Sequence, residues 1–284
     1  MSILSMQRRM LGLVAGSALM TTAYAAEIPI AQDVKDSGQL AIASSLAYAP
    51  FEFVDEQGKP AGLDIELAKA VADRLGVKLK IVTIPFASQI PALASGRVKI
   101  AWATFSVTAE RLAQVDFVSF LEAGTVVSTL PANKERFATQ NGLCGASVAV
   151  QSGTAADFVA DRIVADCEKA GLPAMRKAIY PEQKDVIQAV LSGRVEARLD
   201  DSTSAGYYEA TSKGRMVVAG RSLYPAPLGA AVVKGDKATA EMLEAALSSL
   251  IADGTYATIL DKYNLRSSAV SKPALYSNPS QLPQ

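Results

Sequence analysis

The sequence alternates short apolar segments with stretches of helical periodicity, and this alternation constrains the fold more than any other feature. Residues 40–43 and 79–82 are mostly apolar runs of strand length. Between them, apolar residues recur at intervals of three and four positions: Leu67, Ala68, Val71 and Leu75. This spacing predicts a helix, which we expect Asp64 to cap and Gly76 to end. Another helix is predicted near residues 89–95.

A second unit repeats the pattern in the middle of the chain. Its predicted strands are 147–150, 176–180 and 195–199, and its predicted helices are 155–170 and 184–191. Strands that alternate with helices indicate a parallel sheet with helices on its faces. In such folds ligands bind beyond the carboxyl ends of the strands. Because polar residues follow strands in both units, we expect a cleft that the two units share.

The last part of the chain has a predicted strand at residues 228–233 and a long helix that Asp236 caps. A short helix follows, ending at Leu265. The Pro- and Ser-rich residues 267–284 show no periodicity, which predicts a flexible C-terminal tail.

One polar segment follows a buried strand in the first unit. The apolar run at residues 98–103 leads into a predicted loop with the hydroxyl residues Thr104, Ser106 and Thr108, and residues 109–111 begin a helix. Hydroxyls beside a helix N-terminus can donate hydrogen bonds to an anion. Arg111 adds a planar guanidinium that can bind a carboxylate with two parallel hydrogen bonds. The segment therefore predicts a site for the acid group of a small ligand.

Composition argues against several classes of function. The 284 residues include 28 basic and 28 acidic side chains without a long basic run, which argues against a nucleic-acid partner. The chain has no histidine. Since histidine is the commonest metal ligand and general base, we expect no metal, no cofactor and no Ser-His-Asp catalysis.

The N-terminus has the pattern of an export signal. Arg8 and Arg9 precede an apolar stretch at residues 10–20, and residues 23–25 are Ala-Tyr-Ala. A signal peptide is predicted at residues 1–25, which places the mature protein in the periplasm. The alternative is a signal anchor that stays attached.

Cys144 and Cys167 are the two cysteines of the chain. In an exported protein an even number of cysteines favours a disulfide bond. The alternative is a pair of buried thiols.

Several motifs together resemble the family 3 extracellular solute-binding proteins, the polar-amino-acid receptors of ABC importers. The resemblance extends from Gly38 to Leu265. Its motifs lie at residues 48–53, 58–68, 90–96, 106–111, 115–117, 148–154, 253–256 and 262–263. The spacing of the two cysteines also resembles a subgroup that carries a disulfide there.

The resemblance implies a type II periplasmic binding protein, an α/β fold of two lobes. Each lobe would hold a mainly parallel sheet flanked by helices, and two hinge strands would join them and allow closure on a ligand. Lobe 1 would comprise residues 26–121 and 226–266, and lobe 2 residues 122–225. We expect a monomer.

The resemblance also implies ligand-binding residues. Arg111 would bind the ligand carboxylate with the hydroxyls of Thr104 and Ser106. The backbone amides of Gly153 and Thr154 would approach the same group from lobe 2.

The remaining implied contacts concern the other end of the ligand. Asp201 and the Ala103 carbonyl would accept hydrogen bonds from an ammonium group. Tyr48 and Phe86 would stack on the ligand side chain; the alternative is that both are core aromatics.

Two positions depart from the family pattern. Many members have an acidic residue where this chain has Ser45, so Asp200, Glu52 or water compensates, or the ligand lacks an α-ammonium group. Lys99 replaces a usual aspartate, and we expect its role to be structural.

These features predict a periplasmic receptor, not an enzyme, that binds an amino acid or related small carboxylate and delivers it to an inner-membrane permease. One alternative is a dehydratase on the same fold, similar to cyclohexadienyl dehydratase, with Glu122 or Asp200 as a loose acid. The other is a sensor that reports the ligand to a signalling receptor.

Overall fold

A computed structural model describes residues 28–282. The predicted signal peptide at residues 1–25 lies outside this range. No helix in the described part of the chain combines the length and apolar character that crossing a membrane requires.

The strand–helix–strand pattern predicted for the first unit is confirmed. Its elements are α1 (Gln32–Ser37), β1 (Gln39–Ser44), β2 (Ala47–Tyr48), β3 (Glu52–Val54), β4 (Pro60–Ala61), α2 (Leu63–Arg74), β5 (Lys78–Thr83), α3 (Phe86–Ala94), β6 (Ile100–Ser106), α4 (Ala109–Leu112) and β7 (Val115–Thr129). Strand β1 pairs in parallel with β5 and β6. Strands β2, β3 and β4 form a separate small antiparallel sheet.

The second unit also has the predicted order of elements. They are β8 (Ser147–Gln151), α5 (Ala155–Lys169), β9 (Arg176–Tyr180), α6 (Gln183–Leu191), β10 (Ala197–Asp201) and α7 (Ser202–Thr211). Strand β8 pairs in parallel with β9 on one side and β10 on the other. The chain then returns through β11 (Val217–Val233), α8 (Lys237–Ala252), α9 (Thr255–Lys262) and β12 (Ala269–Tyr276).

Two long strands, β7 and β11, connect the lobes. In lobe 1, residues 115–121 of β7 pair with 228–233 of β11, which also pairs with β6. In lobe 2, residues 125–129 of β7 pair with β10 and with the start of β11. The register of β7 and β11 shifts between these regions, around Leu223. A ladder interrupted at this point bends more easily than a continuous one, because fewer backbone hydrogen bonds must change.

Gly124 lies at the crossing of the two long strands. A Cβ atom there would lie 2.8 Å from the Leu223 carbonyl oxygen and would also collide with the Ser222 hydroxyl. Only glycine allows the two strands to approach this closely.

Each lobe has its own apolar core. The largest cluster lies in lobe 1, where Trp102 and Phe120 pack against Leu243 and Leu247 of α8. The return of α8 to lobe 1 explains why that lobe is discontinuous in sequence. The prediction that Trp102 lies in a buried strand is confirmed.

The predicted disulfide is present. Cys144 and Cys167 are bonded, with Cα atoms 5.6 Å apart, and join the segment before β8 to the end of α5. The bond therefore closes a loop across the core of lobe 2.

The prediction of a loose tail is wrong for residues 269–276. These residues form β12, which pairs antiparallel with β7 on the side opposite β11. Backbone hydrogen bonds at a sheet edge require no apolar periodicity, and a proline such as Pro273 is tolerated there. The amino-acid pattern alone therefore did not indicate a strand.

Two local predictions also need correction. Helix α2 begins at Leu63 after Gly62, and Asp64 lies inside the first turn without capping it. Thr104 and Ser106 belong to β6, which continues to Ser106 as a fully buried strand. By contrast, Asp236 caps α8 as predicted, accepting a hydrogen bond from the Thr239 amide at 3.2 Å.

Removing the disulfide should destabilise lobe 2. Replacing both cysteines, Cys144→Ala with Cys167→Ala, should lower the free energy of unfolding by about 3 kcal/mol, because the bond closes a loop across 23 positions. Urea denaturation followed by circular dichroism measures this difference. Wild-type protein treated with a reductant is the matched control and should show the same loss; equal stability of the oxidised and reduced forms would contradict the prediction.

Candidate functional site

A small cavity of about 30 Å³ lies between the lobes, where strands from both sides end. Eight of the nine predicted ligand-binding residues line it: Tyr48, Phe86, Ala103, Thr104, Ser106, Arg111, Thr154 and Asp201. The remaining lining residues are Ser45, Ala47, Gln151, Ala155, Ala156 and Asp200. The cavity therefore lies at the carboxyl ends of β1, β6, β8 and β10, where the α/β pattern predicts a ligand.

Arg111 is buried, with 3 % of its surface exposed. Nη1 donates a hydrogen bond to the Ser106 carbonyl at 2.7 Å, and Nη2 donates to the Gly153 carbonyl of lobe 2 at 2.8 Å. Its carbon Cζ lies between 5.2 and 6.0 Å from the centres of three aromatic rings: Phe86, Phe105 and Phe158. Thr108 caps α4, accepting a hydrogen bond from the Arg111 amide at 3.3 Å, and so positions the arginine.

The electrostatic environment of Arg111 favours an anion. Within the described residues no carboxylate lies within 4.0 Å of its guanidinium, and Nε has no hydrogen-bond partner. Burial lowers the pKa of Arg111 to about 10, while the charges of Asp201 and Glu110 act in the opposite direction. A buried cation surrounded only by carbonyls and rings is stabilised by a carboxylate that enters beside it.

Thr104 does not act as the predicted donor to this carboxylate. Its hydroxyl donates to Asp64 Oδ2 at 2.6 Å, and a threonine hydroxyl has a single proton to donate. Burial raises the pKa of Asp64 well above its usual range, and the Thr104 hydrogen bond opposes this shift. Thr104 has φ of 45°, a strained conformation for a β-branched residue.

The amides of Gly153 and Thr154 are also engaged within lobe 2. The Gly153 amide donates to Asp157 Oδ2 at 2.8 Å, and the Thr154 amide donates to the Gln151 carbonyl at 3.3 Å. The structure therefore contradicts the expectation that both amides face the carboxylate. Gly153 instead contributes its carbonyl to Arg111, and Thr154 lines the cavity.

Two adjacent carboxylates at the end of β10 have different environments. Asp200 Oδ2 accepts hydrogen bonds from Gln183 at 2.8 Å and Ser204 at 2.6 Å, and Arg198 Nη2 lies 2.8 Å from the same oxygen, although its N–H is not aligned for a hydrogen bond. Asp201 has no ion-pair partner among the described residues. Burial, followed by the charge of Asp200, raises the pKa of Asp201 to about 7. Asp201 is thus the carboxylate that remains available to a cation.

Tyr48 connects the lobes. Its hydroxyl lies 2.9 Å from Asp200 Oδ1 and 3.3 Å from Asp201 Oδ2, so it donates to the pair across the cavity. Its ring stacks on Phe51 at 5.5 Å. Burial and the charge of Asp200 raise the pKa of Tyr48 well above its usual value, which keeps the hydroxyl protonated.

Ser45 has a buried carboxylate directly behind it. Its hydroxyl donates to Glu52 Oε1 at 2.9 Å and its amide donates to Oε2 at 2.8 Å. Burial raises the pKa of Glu52 to about 7, while hydrogen bonds from Ser44, Ser45 and Leu46 lower it. Lys99, the other departure from the family pattern, lies at the surface with Nζ 3.3 Å from Asp33.

A larger cavity of about 520 Å³ shares Ser106, Ala155 and Asp201 with the small one. It extends along the hinge strands past Tyr224. Leu282 of the C-terminal segment also lines it. The open space beside the Asp201 carboxylate therefore extends beyond the small cavity into the larger one.

Sequence reasoning missed several residues of the site. Asp64 was interpreted as a cap, and Phe105 and Phe158 showed no signal beyond apolar periodicity. Gln151 lies within a family motif, residues 148–154, and that motif was the only indication of its position. Among the described residues no group of three His, Cys, Asp or Glu side chains is arranged to hold a metal ion.

Known proteins of similar sequence include binding proteins and an enzyme. The chain is 28 % identical to an arginine-binding protein of Corynebacterium glutamicum, over 85 % of this chain and 79 % of that protein. It is 26 % identical to the histidine-binding periplasmic protein of Escherichia coli strain K12, over 89 % and 94 %. A cyclohexadienyl dehydratase of Pseudomonas aeruginosa is 27 % identical over 61 % of this chain and 62 % of the enzyme.

Solved structures that resemble this fold also belong to amino-acid-binding proteins. An ancestral arginine-binding protein, whose structure contains bound arginine, aligns with a TM-score of 0.72 at 32 % identity, over 80 % of this chain and 98 % of that chain. The type II two-lobe architecture inferred from the sequence is thereby confirmed. The family model of bacterial extracellular solute-binding proteins, family 3, matches residues 40–266, and the chain belongs to this family.

Proposed function

We propose that this protein is a periplasmic receptor that binds a basic amino acid between its lobes and delivers it to an inner-membrane ABC permease. The observation that carries the proposal is the buried guanidinium of Arg111, which lies between the lobes without a carboxylate partner in the described chain. The binding proteins named above bind arginine or histidine, which supports the same class of ligand.

The arrangement of charge suits a zwitterion. Arg111 would pair with the ligand carboxylate, and Asp201 would accept the ammonium group from the opposite lobe. The Ala103 carbonyl is a further acceptor on the lobe 1 wall. A small molecule with both groups would contact both lobes at once and therefore stabilise their closed arrangement.

The excess of acids favours a ligand with net positive charge. Four carboxylates line the cavity or lie one hydrogen bond behind it: Glu52, Asp64, Asp200 and Asp201. Two guanidinium groups, Arg111 and Arg198, accompany them. Four acids against two bases would leave two negative charges if all were ionised. Burial raises the pKa values of Glu52, Asp64 and Asp201, and a basic amino acid would favour their ionised forms.

Closure would occur about β7 and β11. The proposed lobe boundaries, between residues 121 and 122 and between 225 and 226, fall in the region where the ladder of these strands is irregular. Two interlobe hydrogen bonds, Tyr48 to Asp200 and Arg111 to Gly153, would break on opening. Periplasmic location is supported by the predicted signal peptide, by the disulfide and by a periplasmic relative.

A dehydratase is the second candidate, because one relative is a cyclohexadienyl dehydratase and because the cavity contains a protonatable acid, Asp201. The two acids considered from sequence are less suitable. Glu122 is exposed at the surface, and Asp200 is engaged by Arg198, Gln183 and Ser204. Turnover of prephenate by the purified protein would establish the enzyme and contradict a purely binding role.

A thermal-shift screen of the mature protein against the twenty amino acids tests the proposal directly. We expect L-arginine, L-lysine or L-histidine to raise the melting temperature most, since a ligand that binds only the native state stabilises it. Keto acids without an ammonium group serve as matched controls and should have smaller effects. A screen in which no amino acid shifts the melting temperature would contradict the proposed ligand class.

Replacing Arg111 should abolish carboxylate binding. Arg111→Ala should weaken the amino acid that binds most tightly in the screen by about 100-fold or more, because loss of one partner of a buried charge pair costs about 2–5 kcal/mol. Isothermal titration calorimetry measures the change, and circular dichroism checks folding. Arg97→Ala, at an exposed arginine of lobe 1, is the control. Unchanged affinity in Arg111→Ala would remove the carboxylate-binding role.

Affinity for L-arginine should fall as the pH is lowered below about 7. The pKa of Asp201 is raised to about 7, so below that pH the carboxyl must lose a proton before it accepts an ammonium group. Each further pH unit then weakens binding by up to about tenfold, while the charge of arginine itself stays constant. Calorimetry in two buffers of different ionisation enthalpy counts the protons released. Asp201→Asn should show a flatter profile; an equally steep one would assign the dependence elsewhere.

A further inference from the structure

We propose that Glu52 is a positioning residue that acts through Ser45. It makes the lobe 1 wall of the cavity a surface of hydrogen-bond acceptors, so that the receptor selects ligands carrying an α-ammonium group over their deaminated counterparts. This inference rests on the proposed function and assigns part of its specificity.

The first step is the direction of the Ser45 hydrogen bond. Ser45 lines the cavity, and its hydroxyl lies 2.9 Å from Glu52 Oε1. An ionised carboxylate only accepts hydrogen bonds, and a hydroxyl has one proton. The proton of Ser45 therefore points to Glu52, and the oxygen of Ser45 offers lone pairs to the cavity.

The second step is that Glu52 is held firmly in the accepting role. Its Oε2 accepts from the Ser44 hydroxyl, from the Ser45 amide at 2.8 Å and from the Leu46 amide at 3.3 Å. Leu46 adopts a positive φ of 53°, with its amide among these donors. No basic side chain in residues 28–282 forms an ion pair with Glu52. The carboxylate is fully buried, and the Ser45 hydroxyl is its connection to the cavity.

The third step is that a second hydroxyl on the same wall also donates its proton to a buried carboxylate and so presents its oxygen as an acceptor. Thr104 donates to the buried carboxylate of Asp64 at 2.6 Å and also lines the cavity. The Ser45 and Thr104 oxygens, whose protons point to the buried carboxylates of Glu52 and Asp64, therefore face the cavity beside Ala103. Chains of hydrogen bonds that end on a carboxylate strengthen such acceptors. A group with several N–H donors, such as an ammonium, matches this wall.

A ligand without the ammonium group leaves these acceptors facing a carbon atom or a second acceptor. The unsatisfied oxygens then lose hydrogen bonds to water without replacement. Glu52 consequently determines the ratio of the affinities for an amino acid and for its deaminated counterpart. A residue needed only for folding changes both affinities by the same factor and leaves this ratio unchanged.

The experiment compares two pairs of probes that differ only in the α-ammonium group. They are L-arginine with 5-guanidinopentanoate, and L-histidine with 3-(imidazol-4-yl)propanoate. Titration calorimetry is performed at about pH 8.5, where Glu52 is ionised. Glu52→Gln should weaken the amino acid that binds by about tenfold or more and leave its deaminated counterpart within about twofold.

Two further variants keep the test decisive. Ser45→Ala removes the acceptor but retains Glu52, and should reduce the same affinity ratio even where Glu52→Gln fails to fold. Ser45→Asp in the Glu52→Gln background places a carboxylate directly on the wall and should restore affinity for the amino acid. Circular dichroism establishes that each variant is folded.

Equal weakening of both members of a pair, or weakening of neither, would overturn the inference. So would wild-type protein that binds neither arginine nor histidine. In that case binding of L-lysine in the thermal-shift screen would leave the proposed function in place, whereas binding of no basic amino acid would remove both.

Discussion

The structure depends on the burial of one guanidinium group between two lobes. Arg111 is 3 % exposed and has no carboxylate beside it within the described chain. Removing a cation from water costs several kcal/mol unless hydrogen bonds and an opposite charge replace the solvent. Two carbonyls, from Ser106 and Gly153, and three aromatic rings offset part of this cost. A ligand carboxylate would supply the missing charge, and because one carbonyl belongs to lobe 2, the same event couples binding to closure.

The hinge makes this coupling mechanically simple. Strands β7 and β11 belong to the sheets of both lobes, and their ladder is irregular around Leu223, near the crossing at Gly124, with a further register shift between Leu228 and Gly229. Each lobe keeps its own apolar core, so a change in the angle between them need not disturb packing. Strand β12 adds a third strand beside the lobe 1 half of β7 and reaches Leu121, just before the crossing. Strand β12 therefore stiffens the lobe 1 half of β7 up to the crossing.

Sequence reasoning identified the fold from the alternation of strands and helices, whereas most of the cavity lining was predicted from the family resemblance. Alternating strands and helices imply strand ends that meet at a cleft, and eight of nine predicted residues line it. The direction of each hydrogen bond was not predictable, because it depends on residues distant in sequence. Asp64 lies 40 positions from Thr104 and reverses the role expected of its hydroxyl. The Gly153 amide is engaged by Asp157 nearby in the chain, and the Gly153 carbonyl contacts Arg111, which lies 42 positions away.

The structure also changes how the departure at Ser45 is interpreted. In the sequence, a serine in place of an acid indicates a missing charge. In the structure, Glu52 lies behind that serine and accepts its hydrogen bond, so the negative charge lies one hydrogen bond farther from the cavity. A carboxylate at the wall would attract any cation strongly. A hydroxyl whose proton points to a buried carboxylate instead accepts a hydrogen bond from a donor that is directed at its oxygen. An ammonium group of the proposed ligand would then meet two unequal partners, the carboxylate of Asp201 in lobe 2 and the oriented Ser45 oxygen in lobe 1. Because these partners lie on different lobes, opening of the hinge would separate them, and neither lobe alone would hold the ligand.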